Sequence, residues 1–550
     1  MYRVTTSHLF HPSIHSSVMS KQKPTATATS GAAAIPTTTN NRATASVLPR
    51  PMRRVLQNFL LVWLDANLDE SKDDFKKSLR RLRRVVTSVT TFKDVQECVN
   101  FLSEITKEKI FLIVSGSLGR QILSEIEAWP QLESVYIFCR NQAVHEQWAN
   151  KISKVKGVHT KIKPICKALE IDRENCDRAL ISISYHGIDP LFMYTQLLKE
   201  TLLQIEDDDT KSIKDLTDYC REQDDIPDEE IHKLKHEYQH HTPIWWYTAP
   251  YFIYSMLNRG LRLMDVDIII KMGFFIRHLH QHIEKLYHEQ QQSRMKATAP
   301  FIVFRGQGLS FENFEKMKQT KGGLMSFNNF LSTSENRQIS LKFAREGAAK
   351  NSNMVGILFV MTIDPVIVSK SSTSYVHVTN EGYFKDKEAE ILFTTHTILR
   401  IDRITHIQDA NINRLWEVKL TLVDNDNHAL NTLTSSIRRE LGSTIGWSRF
   451  GHILIKLGDS AKAQQLYKIL LNKASSDEDR ADYNNQLGWV NANLGEYTQA
   501  LSSFERSLEI QKIALPPNHP DLAMSHNNIG ELYRNMGEYS KALSSHERSL

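Results

Sequence analysis

Cysteine is scarce in this 550-residue chain and is confined to its first half. The five cysteines are odd in number, no two of them form a Cys-x-x-Cys pair, and none follows position 220. Their spacing argues against a disulfide framework and a cysteine-based zinc site, and it fits a reducing compartment. The five residues are Cys98, Cys139, Cys166, Cys176 and Cys220.

Long apolar runs and a strong charge imbalance are also missing. No stretch approaches the roughly 20 apolar residues of a membrane-spanning helix, and the N-terminus lacks the apolar core of a secretory signal. The net charge of +5 is small for a chain of this length and argues against a dedicated nucleic-acid binder. We therefore expect a protein whose partners include no nucleic acid and no membrane.

Acidic residues are absent from the first 64 positions, which are rich in Ser and Thr. Residues 1–55 are of low complexity and contain too few apolar side chains to offset the entropy of ordering, so we predict a disordered tail. A mitochondrial transit peptide has a similar composition, but no clear amphipathic helix precedes residues 26–29. We favour the tail and a cytoplasmic location, with mitochondrial targeting left open.

The length predicts three or four domains, because a single hydrophobic core does not grow to 550 residues. In residues 56–165, short apolar runs alternate with amphipathic charged stretches. This alternation predicts an α/β domain of unknown role, with a parallel sheet and helices on both of its faces. The expected strands are residues 60–65, 85–92, 110–116 and 134–139.

Two features of the α/β region have the chemistry to contact an anion. The segment from Ser115 to Arg120 follows a strand, but it matches neither the Walker A sequence nor the dinucleotide Gly-x-Gly-x-x-Gly, so we favour a plain tight turn. A basic cluster in the preceding helix is interpreted as a solvated helix face. Its residues are Lys76, Lys77, Arg80, Arg81, Arg83 and Arg84.

Residues 166 to about 295 are predicted to be mostly helical, with acidic breaks at 205–209 and 222–230 and a linker at 290–300. The stretch from His236 to His240 satisfies the zinc-protease pattern His-Glu-x-x-His. Its flanks are polar all round and Pro243 is expected to end the helix, so we expect no metal there. Three histidines further on are interpreted as surface or packed side chains: His278, His280 and His282.

From residue 301 the pattern becomes typical of strands. Arg305 is expected at the end of an apolar strand, followed by Gly306-Gln307-Gly308. A buried arginine is costly unless an anion meets it, and glycines let a ligand approach the backbone.

Two more polar motifs stand at the ends of predicted strands. Ser332-Thr333-Ser334 closes one strand, and Glu388-Ala389-Glu390 opens the apolar run 391–401, which predicts a further strand. Because alternate side chains of a strand share a face, Glu388 and Glu390 would lie about 6 to 7 Å apart on the same side. An isolated Glu-x-Glu indicates only a solvent-facing strand start, so its meaning depends on the motifs upstream.

Arginine, then Ser-Thr-Ser, then Glu-x-Glu, each on its own strand, resembles the arginine-specific mono-ADP-ribosyltransferases from about Phe301 to Ile404. The resemblance implies an α+β domain over residues 166–425, helical to about 295 and β-rich from 300 to 425. It also implies that NAD, as substrate, binds in a cleft between two small sheets, with no metal required. The expected reaction moves ADP-ribose from NAD to arginine side chains of protein substrates.

The resemblance further implies a role for each matching residue. Arg305 would bind the NAD phosphates, with the Gly306 backbone near the nicotinamide amide. Glu390 would be the catalytic carboxylate, oriented by Ser332, and Glu388 would position the target guanidinium. The remaining implied site residues are Thr333 and Ser334, which complete the serine motif, and Phe343, which would stack on nicotinamide.

The residue types suit this chemistry. Loss of nicotinamide leaves an oxocarbenium-like ribose, which a fixed carboxylate stabilises as in glycoside hydrolysis. Arginine is almost always protonated, so Glu388 would also draw off a proton as the new bond forms. Two alternatives stay open: an NAD glycohydrolase, in which water replaces the acceptor, and a non-catalytic repeat scaffold. In the loop before the glutamates, Tyr383 or Phe384 is expected to meet the target protein.

Residues 440–550 repeat themselves. The segment from Leu487 to Leu508 recurs from Ile529 to Leu550 at an offset of 42, and an earlier, shorter copy begins near Ser443. The pattern resembles tetratricopeptide repeats of the kinesin-light-chain type, which implies an α-solenoid. The resemblance also implies that a peptide or protein binds in the concave groove lined by Asn485, Asn527 and Arg534.

The chain stops at Leu550 inside a predicted helix, so we expect further repeats or a partner beyond it. The expected fold class is multidomain: an α/β parallel-sheet domain, an α+β ADP-ribosyltransferase domain and an α-solenoid.

Overall fold

The computed structural model describes residues 58–549, with gaps. The gaps are residues 87–88, 107, 180–182, 188–189, 206–207, 224–225, 294–298, 350–352, 372, 379–380, 384–389, 424–434, 436, 440 and 442–445. The expected tail at residues 1–55 therefore lies outside the described residues, as do Glu388 and Phe384.

A parallel sheet occupies the first part of the described chain. Its strand order is β2-β1-β3-β4-β5, and every neighbouring pair is parallel. The central strands are buried on both faces, which explains their unbroken apolar sequences. The strands are β1 (Phe59–Leu64), β2 (Val89–Phe92), β3 (Lys109–Ser115), β4 (Leu132–Phe138) and β5 (Val155–His159).

The expectations for this sheet were wrong in two places. The second strand begins at Val89 and not at residue 85, because Val85 and Val86 pack in the core just after a helix. The strand β5 was not predicted, since its sequence VKGVH is short and only partly buried.

Two apolar clusters cover the two faces of the parallel sheet, as expected for a sheet between helices. One cluster contains Leu102 and Ile122, and the other contains Leu82 and Ile165. The helices are α1 (Asp73–Arg83), α2 (Val95–Glu104), α3 (Gly116–Ile126), α4 (Gln142–Ala149) and α5 (Ile162–Ala179).

A mostly helical segment follows, and it contains one strand that was not predicted, β6 (Ile183–Tyr185). The longest helix reaches Ser293, so residues 290–293 of the expected linker are helical. The helices are α6 (Pro190–Gln204), α7 (Asp209–Gln223), α8 (Asp228–Glu237), α9 (Pro243–Thr248), α10 (Phe252–Leu263) and α11 (Val266–Ser293).

Pro243 does not end a helix but begins α9, where Thr242 Oγ1 accepts a hydrogen bond from the backbone N–H of Trp245. Proline suits this position because its missing N–H would have no helical partner. Similarly, Asp228 to Glu230 are the first turn of α8 rather than part of an acidic break, a placement that the helix dipole favours.

A mixed sheet of nine described strands forms the next layer, in the order β11-β12-β9-β7-β10-β14-β13-β8-β6. Its pairs are antiparallel except β10 with β14. The strands after β6 are β7 (Phe301–Ser310), β8 (Leu324–Phe327), β9 (Leu331–Ser334), β10 (Met354–Ile363), β11 (Tyr375–His377), β12 (Glu390–Phe393), β13 (Thr397–His406) and β14 (Leu415–Leu422). Three helices lie between them: α12 (Phe311–Gln319), α13 (Arg337–Ala349) and α14 (Pro365–Val368).

The apolar run 391–401 was expected to be one strand, but it forms two. β12 ends at Phe393 and β13 begins at Thr397, and the two strands lie far apart in the sheet order. The chain turns at His396, which has a left-handed φ of 57° although it is not a glycine. Thr394 to Thr397 are all buried although they are polar, so no exposed polar segment separates the two strands.

The final part of the chain consists of antiparallel helical pairs. Phe450, Leu466, Tyr467 and Leu470 belong to the same apolar cluster as side chains of α6 to α11. A separate cluster holds the last pairs together. The helices are α15 (Gly446–Lys456), α16 (Ser460–Lys473), α17 (Asp477–Asn493), α18 (Tyr497–Ala514), α19 (Pro520–Asn535) and α20 (Tyr539–Glu547).

Candidate active site

Two of the sequence motifs meet where β12 pairs with β9. Glu390 lies opposite Ser334, and Leu392 lies opposite Ser332, so Glu390 and Ser332 are diagonal neighbours on one face of the sheet. The Ser332 hydroxyl donates a hydrogen bond to Glu390 Oε1 at 2.6 Å. Both side chains are half-buried, so the carboxylate is fixed in place and still accessible.

Arg305 reaches the same strand from β7. Its side chain is only 2% exposed, and its Nη1 donates to the backbone carbonyl of Ser332 at 2.7 Å. Its Nε donates to Gln307 Oε1 at 2.9 Å. Ser332 therefore links the arginine, through its carbonyl, to the carboxylate of Glu390, through its hydroxyl.

The sheet is almost divided beside these residues. β7 and β9 are joined by one residue pair, Phe304 with Ser334. The strands β11, β12 and β9 lie on one side of this junction, and the six others lie on the opposite side. The expected pair of small sheets is thus a single sheet held together by one bridge, and Arg305 lies next to that bridge.

Gly306 and Gly308 lie inside β7, so the strand does not end at Arg305 as expected. Both glycines face α13, where a Cβ at position 306 would lie 1.6 Å from Ser340 O. A Cβ at position 308 would lie 3.0 Å from Gly347 Cα. Because these glycines have no side chain, α13 packs closely against β7. The alternation of side chains along the strand directs Arg305 and Gln307 to the opposite face.

The other members of the serine motif bond to the backbone. Thr333 Oγ1 donates to the carbonyl of Ile391 at 2.9 Å, which adds a side-chain link between β9 and β12. Ser334 Oγ accepts from the N–H of Asn336 at 3.0 Å at the start of α13. These bonds fix the strand that carries Ser332.

Sequence reasoning missed a buried polar network behind β9. The hydroxyl of Tyr247, from α9, donates to the carbonyl of Phe330 at 3.2 Å. Asn329 Nδ2 donates to Asn258 Oδ1 at 3.0 Å. Burial raises the pKa of Tyr247 far above its ordinary value, and the nearby Glu390 carboxylate acts in the same direction whereas Arg305 opposes it. The sequence signal that could have revealed this network was the presence of a tyrosine and two asparagines inside apolar stretches.

The loop before Glu390 is described as far as Tyr383. The N–H of Tyr383 donates to Thr248 Oγ1 at 2.9 Å, and its ring, 41% exposed, contacts the ring of Trp245 at 5.4 Å. Phe343 lies half-buried on α13, and its proposed contact with nicotinamide stays a prediction.

The remaining candidates lie elsewhere. Ser115 precedes α3 directly, and a Cβ at Gly116 would meet the ring of His145, so this helix start is covered by a side chain. In the zinc-protease pattern, α8 ends at Glu237 and a short 3-10 turn from Tyr238 to His240 follows, so its two histidines do not share a helix.

The three histidines of α11 have different surroundings. His278 contacts Tyr238 and Asp209, His280 is buried, and His282 lies 4.0 Å from Glu381. Burial lowers the pKa of His280 to about 3, so it is neutral at physiological pH.

Two kinds of feature are absent from the described residues. No cluster of three or more His, Cys, Asp or Glu side chains suited to a metal ion occurs among them. Nor does any helix in the described ranges combine the length and apolarity needed to cross a membrane.

The three predicted groove residues lie on α17 and α19. Asn485 Oδ1 accepts from Asn528 Nδ2 at 3.0 Å, which links the two helices. Asn527 is half-buried, and the exposed Arg534 pairs with Glu531 one turn earlier on the same helix.

The family model of the tetratricopeptide repeat matches residues 479–550, the segment that forms α17 to α20. No curated protein matches the chain in sequence.

Solved structures similar to the chain include a repeat protein and ADP-ribosyltransferases. A putative kinesin light chain from Podospora anserina with TPR-like repeats is 18% identical over 21% of this chain, with a TM-score of 0.18. The chain spans 54% of that structure.

Two ADP-ribosyltransferases are among these structures. HopU1 of Pseudomonas syringae pv. tomato is 14% identical over 44% of this chain and 100% of its own, with a TM-score of 0.25. The Vis toxin of Vibrio splendidus is 15% identical over 41% of this chain and 91% of its own, with a TM-score of 0.23. Because all of these scores lie below 0.5, we base the function on the geometry of the site.

Proposed function

We propose that the protein transfers ADP-ribose from NAD to arginine side chains of target proteins. The observation that carries this proposal is the 2.6 Å hydrogen bond from Ser332 to Glu390, made on the strand whose carbonyl also holds Arg305. A fixed, accessible carboxylate beside a buried guanidinium suits a substrate that combines a diphosphate with a ribose that becomes positively charged.

In the first step NAD is the substrate and nicotinamide the leaving group. Arg305 binds the diphosphate, and the Gly306 backbone and Phe343 hold the nicotinamide. The bond between ribose C1′ and the nicotinamide nitrogen breaks, and its electron pair leaves with nicotinamide. Glu390 stabilises the positive charge that develops on the ribose, acting at the 2′-hydroxyl.

In the second step a guanidinium nitrogen of the target attacks C1′. Glu388 holds the guanidinium and accepts the proton that the nitrogen loses as the new bond forms. A positioned general base of this kind contributes roughly 10² to 10⁴ in rate. Tyr383, which is exposed ahead of this glutamate, or Phe384 contacts the target.

The repeats select the partner in this proposal. A peptide segment of the target binds in the groove lined by Asn485, Asn527 and Arg534, while the arginine to be modified enters the catalytic site. Side-chain amides and a guanidinium supply hydrogen bonds to an extended peptide.

The experiment that tests the proposal incubates the purified protein with labelled NAD and an arginine-rich acceptor, beside Glu388→Gln and Glu390→Gln. We expect label on arginine that is lost in both variants, with ADP-ribose release surviving only in Glu388→Gln. Release of ADP-ribose without labelled acceptor would instead indicate an NAD glycohydrolase. If the wild type releases no nicotinamide, the enzymatic proposal is wrong.

A further inference from the structure

Gln307 is a buried polar side chain that the proposed chemistry does not yet use. It follows Arg305 by two residues on β7, so both side chains leave the same face of the strand. Its side chain is 1% exposed, and its Oε1 accepts a hydrogen bond from Arg305 Nε at 2.9 Å.

This contact fixes the orientation of the Gln307 amide. An arginine Nε–H can only donate, so the atom that faces it must be the amide oxygen. The NH₂ group then points away from that bond. The Gln307 Nε2 atom is fully buried and has no hydrogen-bond partner within the described part of the chain.

The backbone around Gln307 is fixed by its neighbours, which limits the positions that the Nε2 donor can reach. On the face opposite to the Gln307 side chain, β7 packs against α13. The backbone of Ser340 and Ala344 leaves no room there for a Cβ at Gly306. Across the sheet, Gln307 pairs with Ile357 of β10. The backbone that carries the amide is thus fixed by α13 on one face of the strand and by β10 within the sheet.

A buried donor without a partner costs free energy, and a methionine would fill a similar volume without that cost. A glutamine at this position is favourable when a ligand completes its hydrogen bonds. Because the donor lies beside a guanidinium, the ligand atom it suits is an oxygen of an anion.

We propose that Gln307 is a second binding residue for the diphosphate of NAD. Its Oε1 positions Arg305, and its Nε2 donates to a phosphate oxygen next to the one bound by that arginine. This inference rests on the proposed function, because it takes NAD as the substrate of the site.

Two variants separate the two ends of the amide. Gln307→Glu keeps an oxygen for Arg305 but removes the donor and adds a negative charge, whereas Gln307→Met removes both ends at similar volume. The charge control is Gln96→Glu on α2, where the exposed glutamine donates a hydrogen bond to Asn100, four residues later on the same helix. ADP-ribose and nicotinamide serve as separate probes, with calorimetry on the full chain.

We expect Gln307→Glu to raise the Kd for ADP-ribose at least tenfold, with the Kd for nicotinamide within twofold of wild type. Gln307→Met should also weaken ADP-ribose binding. If the glutamate variant does not fold, the Kd of the methionine variant for ADP-ribose tests the proposal. Gln96→Glu should change neither constant.

The inference is overturned if the variant that folds binds ADP-ribose within twofold of wild type. It is equally overturned if both probes are weakened alike, since that would indicate a general disturbance of the site. If the wild-type protein binds neither NAD nor ADP-ribose, both the proposed function and the role of Gln307 are wrong. If the wild type binds ADP-ribose and the variants bind it equally well, only the role of Gln307 is wrong.

Discussion

Ser332 donates to Glu390 through its hydroxyl at 2.6 Å, a length typical of a bond to a charged carboxylate. The same residue accepts from Arg305 through its carbonyl. One residue on a four-residue strand therefore sets the distance between the group that would bind phosphate and the group that would act on the ribose.

Replacing Ser332 by alanine tests this relationship. A hydrogen bond to a charged group contributes about 1.5 to 3 kcal/mol, so Ser332→Ala should lower the rate of nicotinamide release roughly 10- to 150-fold. The backbone bond to Arg305 remains, so KM for NAD should change little. Ser369→Ala is the control, since Ser369 is exposed just after α14 and its hydroxyl donates to the Val366 carbonyl. A Ser332→Ala enzyme with wild-type kcat would contradict the assigned geometry.

The loop ahead of the glutamates is tied to α9, and this contact predicts an effect on acceptor use. Thr248→Val keeps the side-chain volume but removes the oxygen that accepts from the Tyr383 N–H. We expect transfer to an arginine acceptor to fall several-fold, while nicotinamide release in the absence of acceptor is unchanged. Measuring both products from one reaction gives the ratio directly. A parallel loss of both activities would show instead that the contact only stabilises the fold.

Glu230 predicts a pH dependence of stability. Burial raises its pKa from about 4.5 to about 7, although Arg173 and Lys233 oppose the shift. Because the folded state then binds the proton more tightly than the unfolded state, the stability contributed by protonated Glu230 is present below about pH 4.5. It is lost as the pH rises through 7.

The free energy of unfolding of the wild type should therefore fall between these pH values by up to about 3 kcal/mol from this group. Glu230→Gln mimics the protonated acid and should reduce that slope. Denaturant unfolding from pH 5 to 8 measures both proteins under one protocol. An unchanged slope in the variant would mean that other groups carry the dependence.

The packing of α15 and α16 predicts that their stability is shared with the helices next to the candidate site. Leu466 on α16 lies in the same apolar cluster as α11, whereas Leu532 on α19 lies in the separate cluster of the last pairs. Each Leu→Ala substitution removes the same atoms and should cost about 2 to 5 kcal/mol locally. Leu466→Ala should lower the temperature at which nicotinamide release is lost, and Leu532→Ala should not. Equal effects of the two variants would contradict the division into clusters.

The sequence predicted repeated helices because packing constrains the same positions in each copy. A Cβ at Gly488 would lie 2.5 Å from the ring of Phe504, and at Gly530, 42 residues on, it would lie 2.7 Å from the ring of His546. Because no side chain fits at this position, glycine recurs there in each copy of the sequence. The strand-helix alternation of the first sheet was visible for a related reason, since strands buried on both faces are apolar throughout.

Strand ends were less predictable where long-range contacts decide them. Gly306 and Gly308 indicated a break after Arg305, yet the strand continues because α13 fills the space that their missing side chains leave. The turn at His396 contains neither glycine nor proline, so the apolar pattern gave no sign of it. The bond from Tyr247 to Phe330 joins residues 83 apart, a separation that no local pattern contains.

The shared apolar cluster of α6 to α11 with α15 and α16 bears on how a target would reach the site. Two modules joined by a flexible linker present a ligand at an effective concentration set by linker length. Here α15 and α16 are packed against α6 to α11, with Gln465 bonded to Asp267 and Lys473 to Asp215. For a target bound in the proposed groove, the distance to the Glu390 carboxylate is then set by packed helices. The protein would then modify targets whose arginine lies at one fixed distance from the segment bound in the groove.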